Sequence, residues 1–282
     1  MPPVEPTSRS SETPIPDPQL PAWSGVRHVV RIALETGRAC YAEAQSDRYV
    51  LLDAAPWQGG RPTGESVPAR GARLLPPCEP TKIVCIGVNY ADHAKESVSM
   101  VAVPDEPILF MKPPSALLAY GATILLPPGV GRVDHEAEMA LVIGRTVFRA
   151  DAAAARAAIA GVTAVNDVSA RVLQKKDGQF TRAKGFDTFC PIGPAIALGL
   201  DPDDLGVVAR VNGEVRQNGR SRDLIAGAVA LVTYISNVMT LLPGDVISTG
   251  TPAGVGPIVP GDRVAIEIEG VGALINDVAE RP

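Results

Sequence analysis

Apolar positions along this chain fall mostly into short runs and two-residue alternations. Met139 to Ile143 is apolar at every position, as expected of a strand buried on both faces. KIVCIG and VTAVND carry the same signature, the latter apolar until Asn166 and Asp167. In DRVAIEIEG, by contrast, Val264, Ile266 and Ile268 alternate with Ala265, Glu267 and Glu269, the pattern of a strand with one face in solvent. HVVRIALE, RACYAEAQ and RYVLLD read as further strands, and VVARVNGEVRQNG as a hairpin turning at Asn-Gly. Helical signals are fewer. Asp151 is placed to cap AAAARAAIAG, which Gly161 would end, and Leu224 to Leu242 carries no charge over 19 residues, predicting a buried helix that stops at Pro243-Gly244.

The chain divides accordingly into a Pro/Ser-rich tail (1–22) expected to be disordered, a small β-rich domain (23–75) and a larger domain (76–282), with RLLPPCEPTK as the connection. The fold class expected is α+β, mostly β. With 26 basic and 31 acidic residues the net charge is −5, and no basic run suits a phosphate backbone, so nucleic acid is not an expected partner. The uncharged segment contains Thr233, Tyr234, Ser236 and Asn237 and lacks the flanks of a span, so no membrane partner is expected either. Four cysteines without a CxxC pair, and a start lacking an apolar signal core, suit the reduced cytoplasm.

The chemistry concentrates where acids lead into a core. In VDHEAEMALVIGR, Glu136 and Glu138 are two residues apart and share a strand face, with Asp134 beside them and His135 turned the other way. Paired carboxylates at the lip of an apolar interior either take up a proton or hold a cation. Spacing alone does not decide, because Glu267 and Glu269 repeat it on a solvated face. Asp167, at the exit of another buried strand, is available as a third oxygen ligand. Three carboxylates without spare Cys or His describe a Mg²⁺ or Mn²⁺ site with open positions for a chelating substrate. His93 and Glu96, three apart after the strand KIVCIG, would share a helix face, where a carboxylate can orient an imidazole to activate water. Lys112, beside Pro113 and Pro114, could help hold an anion but reads first as a solvated turn residue, and Arg171, Gln174, Arg182 and Lys184 bring polar and positive groups near the acids. In GDVISTGTPAGVGP, Thr249 and Thr251 with neighbouring N–H groups suit a carboxylate. His28 opens a strand and reads as a satisfied histidine.

In order along the chain, GVNYADHAKE, DHEAEMALVIG, NDVSAR, TRAKGFDTFCPIGP, VNGEVRQNG and STGTPAGVG resemble the fumarylacetoacetate hydrolase family, in its short two-domain, acylpyruvate hydrolase-like form, from about Lys82 onward. The resemblance implies a mixed β-roll catalytic domain, a homodimer, and Mg²⁺ or Mn²⁺ held by Glu136, Glu138 and Asp167. It also implies a His93–Glu96 water-activating dyad, enolate support from Lys184, and substrate contacts at Arg171, Gln174 and Thr251. His135 departs from the family's usual aromatic at that position.

The reaction expected is hydrolysis of a C–C bond in a small anionic acylpyruvate-type 2,4-dioxo acid. The same site serves two alternatives, decarboxylation of oxaloacetate and isomerisation or tautomerisation of a 2-hydroxy-dienedioate. A non-catalytic protein that binds a small acid is the alternative from another class. A lid is sought between Ser97 and Asp105.

Overall fold

The computed structural model describes residues 13–96 and 105–282, without the side chains of 94–96, so the greater part of the expected lid and the Glu96 carboxylate lie outside the described residues. The small N-terminal part is built from β1 (Arg27–Ala33), β2 (Ala39–Gln45), β3 (Arg48–Leu52), β4 (Pro62–Pro68) and β5 (Arg73–Leu75). β6 (Ile83–Gly87), helix α1 (Ala91–Glu96), β7 (Ile108–Lys112), β8 (Leu117–Leu118), β9 (Ile124–Leu126) and β10 (Val133–His135) follow. Next come β11 (Ala137–Ile143), α2 (Ala152–Ala158), β12 (Ile159–Asn166), β13 (Ser169–Ala170), α3 (Arg171–Asp177), α4 (Thr181–Lys184) and β14 (Cys190–Leu198). β15 (Gly206–Val211), β16 (Glu214–Arg220), α5 (Ala228–Val238), β17 (Val246–Ser248), β18 (Gly256–Pro257), β19 (Arg263–Ile268) and β20 (Gly272–Glu280) complete the chain.

Strand content dominates, as the alternation predicts. A 12-stranded sheet follows the order β4-β3-β2-β1-β14-β12-β11-β17-β6-β7, with β5 and β8 attached off this path. The small part therefore shares one sheet with the larger: β1 pairs antiparallel with β14, His28 opposite Ala197. A five-stranded sheet, β16-β15-β19-β20-β9, and a three-stranded one, β13-β10-β18, make up the rest.

β11 is buried at every residue because both of its faces are covered. Met139, Leu141 and Ile143 point into a core shared with α2, α5 and the five-stranded sheet, while Ala140 and Val142 point into a second core with Cys85, Cys190 and Val246. A strand with two apolar sides has no solvent face on which to carry a polar residue, so its polar side chains collect at the end where it emerges.

Three expectations are corrected. Asp151 does cap α2, accepting from Ala154 N at 2.8 Å, but the helix passes straight into β12 and Gly161 lies inside that strand. A Cβ there would stand 2.6 Å from Ala197 O, so the glycine serves strand approach and not helix termination. The uncharged segment forms only the 11 residues of α5, with Leu231, Val232 and Ile235 buried and Val238 57 % exposed, because a helix at the surface, packed here beside α2, buries one stripe. Residues 13–22, read as tail, lie along the body of the protein: Tyr120 donates to Pro16 O at 2.6 Å, Gly71 N to Asp17 Oδ1 at 3.1 Å, and Leu20 packs beside Val30 and Ile32. Among the described residues no helix is long and apolar enough to cross a membrane.

Candidate metal and active site

The acids at the start of β11 are aimed by a break in strand pairing. β10 pairs with β13 and β18, whereas β11 pairs with β12 and β17, and Glu136 lies between the two strands. Glu136 N donates to Asn166 Oδ1 at 3.0 Å, and Asp167 N donates to Glu136 O at 2.9 Å. This exchange brings the end of β12 beside Glu136. Glu136, Glu138 and Asp167 each offer a carboxylate oxygen within 4.8 Å of the others, and all three are buried. Here the structure brings together three of the residues the sequence singled out.

Three cations surround them. Lys184 Nζ donates to Glu136 Oε2 at 2.9 Å, Asp167 Oδ2 at 2.6 Å and Ser169 Oγ at 2.7 Å, and lies 4.9 Å from the centre of the Phe110 ring. Arg171 donates to Glu136 Oε1 at 2.5 Å, Asp134 Oδ2 at 2.7 Å and Gln174 Oε1 at 2.9 Å, so its fork is filled by the chain's own acceptors. Lys112 is the third, and it corrects the sequence reading. It is only 1 % exposed and donates to Asp167 Oδ1 at 2.6 Å and Val168 O at 3.2 Å. The prolines after it made the turn look solvated, but β7 delivers the side chain inward.

Electrostatics separate the two glutamates. Burial alone would raise both. At Glu136 the Lys184 ammonium and the Arg171 guanidinium overcome that and hold the carboxyl well below its usual range. At Glu138, burial followed by the charges of Asp167 and Glu136 pushes it up to about 8. Glu138 Oε2 accepts from Ser248 Oγ at 2.5 Å and Gly250 N at 2.9 Å, yet among the described residues no Lys or Arg forms an ion pair with it. A buried carboxyl without a cation of its own, flanked by two more carboxylates, is a donor set that fits a hard divalent cation.

The loop after β17 shows why its glycine is there. Gly250 has φ of 99°, and a Cβ on it would stand 2.7 Å from Asn89 Cβ. Thr249 Oγ1 donates to Met139 O and Thr251 Oγ1 to Ala137 O, both at 2.8 Å. The loop does grip a carboxylate, the chain's own Glu138, but through Ser248 Oγ and Gly250 N. Thr249 and Thr251, to which the sequence assigned that role, spend their hydroxyls on backbone carbonyls, and Thr251, expected as a substrate contact, is buried.

His93 is carried on α1, after a turn in which the β-branched Val88 holds φ of 55°. Such backbone costs on the order of 1–3 kcal/mol and persists where surrounding contacts impose it. Those contacts belong to Asn89, whose side chain donates to Thr249 O at 2.8 Å and Ala226 O at 3.0 Å and accepts from Ala226 N at 2.8 Å. His93 lies near enough to Glu136 to be among the groups that hold its carboxyl down, after Lys184 and Arg171. Sequence reasoning missed three further residues here: Lys112, Asp134 as the anchor of Arg171, and Gln217. His28, by contrast, is satisfied as read, its Nε2 lying 2.7 Å from Gly270 O.

The chain is similar to several known proteins. Residues 82–279 match the family model described as fumarylacetoacetate (FAA) hydrolase C-terminal, and residues 27–77 match one described as Rv2993c-like, N-terminal. The chain is 44 % identical over 217 residues to oxaloacetate tautomerase FAHD2A, mitochondrial, of Bos taurus, covering 73 % of this chain and 68 % of the relative. The crystal structure of 2-hydroxyhepta-2,4-diene-1,7-dioate isomerase from Mycobacterium marinum is similar at a TM-score of 0.84 and 43 % identity, over 90 % of this chain and 99 % of that one. Maleylpyruvate hydrolase from Sphingobium sp. SYK-6, in complex with manganese (II) ion and pyruvate, is similar at a TM-score of 0.74 and 28 % identity, over 91 % and 100 %.

Proposed function

Because the chain belongs to the fumarylacetoacetate hydrolase family, we propose that it interconverts keto and enol forms of a small anionic 2-oxo acid, at a Mg²⁺ or Mn²⁺ ion held by Glu136, Glu138 and Asp167. The observation that carries this reading is the buried triad, in which Glu138 has no cationic partner among the described residues while Glu136 and Asp167 do. Bound there, a divalent ion supplies the Lewis acidity that makes a proton next to a 2-oxo group removable.

The chain's own groups do the rest. Lys184, nearly enclosed, sets its positive charge beside the ligands. Its three N–H groups are taken by Glu136, Asp167 and Ser169, so a substrate oxygen would feel that charge or displace one of these acceptors, and a preorganised donor in such a site is commonly worth about 3–4 kcal/mol. His93 is the group we assign to hold and move the proton, with Glu96 three residues further along the same helix. Arg171 holds Glu136 and is itself held by Gln174; a substrate carboxylate that engaged Arg171 would replace one of its present acceptors.

Hydrolysis, the expectation from sequence, becomes the second reading. The tautomerase and isomerase relatives share 44 % and 43 % of residues with the chain, whereas the hydrolase that holds manganese and pyruvate shares 28 %. The experiment is a pair of assays on the manganese-loaded protein: decay of enol-oxaloacetate absorbance, and acetate release from acetylpyruvate. Faster enol decay without acetate supports the proposal; acetate release with no effect on the enol replaces it with the hydrolase.

A further inference from the structure

From the contacts of one buried amide, and resting on the metal-site reading above, we propose that Gln217 is a positioning residue for Glu136 and Glu138. Gln217 belongs to β16, in the five-stranded sheet, and is 1 % exposed, yet all four of its hydrogen-bonding positions are spent around the acidic site. Its Oε1 accepts from Ala137 N at 2.9 Å and from His135 Nδ1 at 3.1 Å. Its Nε2 donates to Thr251 Oγ1 and to Pro252 O, both at 2.7 Å. The backbone donor at Ala137 and the backbone acceptor at Pro252 allow only one orientation of this amide.

Two consequences follow. Ala137 and His135 are the neighbours of Glu136 on either side, so one oxygen grips both sides of the break between β10 and β11 that aims that carboxylate. Thr251 and Pro252 directly follow Gly250, whose N–H holds Glu138. Gln217 therefore ties the strand bearing both glutamates to the loop that seats one of them. A buried amide with every position satisfied is also costly to disturb, because its partners are left unpaired. The His135 ring serves the same bond, which accounts for a histidine at that position.

The test uses metal-stripped full-length protein and Mn²⁺ alone, read by electron paramagnetic resonance titration, with circular dichroism to establish folding. Gln217→Met keeps the volume and removes the hydrogen bonds. The expected result is a folded protein whose Mn²⁺ dissociation constant rises by about 10- to 100-fold, with an altered bound-ion spectrum. A merely structural role would lower the melting temperature and leave that constant and spectrum alone. Thr251→Val, which removes one arm of the same network, is expected to weaken binding less and decides the matter if Gln217→Met does not fold. Unchanged Mn²⁺ affinity and spectrum in the folded variants would overturn the role of Gln217. Failure of the unaltered protein to bind Mn²⁺ would overturn the metal site, and this inference with it.

Discussion

Two pairs of glutamates stand two residues apart in this chain, and they end in opposite circumstances. Glu267 and Glu269 follow the alternation of β19 into solvent. Glu267 accepts from Arg210 at 2.8 Å with both side chains more than a third exposed, and Glu269 accepts from Gly206 N at 2.9 Å and Arg220 at 3.1 Å. Glu136 and Glu138 enter a strand buried on both faces, meet Asp167, and draw Lys112, Lys184 and Arg171 inward around them. Identical spacing therefore carries no chemistry by itself. What differs is the strand: one has a wet face on which water screens each charge, and the other has none, so its acids need partners.

The comparison can be sharpened by mutation and pH, beginning with the largest effect. Glu138→Gln is expected to abolish both metal binding and turnover while leaving a folded protein, as checked by Mn²⁺ titration and the two substrate assays. Full activity in that variant would end the proposal. Lys112→Met removes one of the two ammonium groups on the fully buried Asp167. Because Lys184 remains, the destabilisation is expected to fall below the about 3–5 kcal/mol of an uncompensated buried charge, to be read by urea unfolding of metal-free protein.

The effect of pH follows from Glu138. Its carboxyl is pushed up to about 8 in the fold from an ordinary value of 4.5, so the folded chain keeps a proton that the unfolded chain releases. Stability of metal-free protein from this group is then fully present below about 4.5 and is lost as the pH rises toward about 8. Saturating Mg²⁺ should remove that slope, and binding should release a proton across the same window, visible as a buffer-dependent heat. The smallest effect belongs to the solvated pair: Glu267→Gln should change stability by no more than about 0.5 kcal/mol and leave metal binding untouched.

The architecture and the acidic triad were legible in the sequence because both rest on local pattern. An unbroken apolar run marks a strand with two covered faces, and a carboxylate at its end is conspicuous. Lys184 and Arg171 were noticed as charges but could not be paired, since Lys184 meets Glu136 only across 48 positions of chain. Lys112 was hidden by its prolines, which describe the turn and not the direction in which β7 points its last side chain. Gln217 sits in a hairpin strand whose neighbours are exposed, and only the packing of the five-stranded sheet against β11 turns it inward. The pairing of β1 with β14 was equally invisible, because sheet continuation between two sequence-distant parts leaves no periodic trace in either.

Calorimetric titration of Mn²⁺ into metal-stripped protein tests the central claim most directly. If the three carboxylates share one hard cation, the isotherm will show one ion per chain in the unaltered protein and no binding after Glu138→Gln or Asp167→Asn. A flat isotherm for the unaltered protein, or an isotherm that both substitutions leave unchanged, would contradict it.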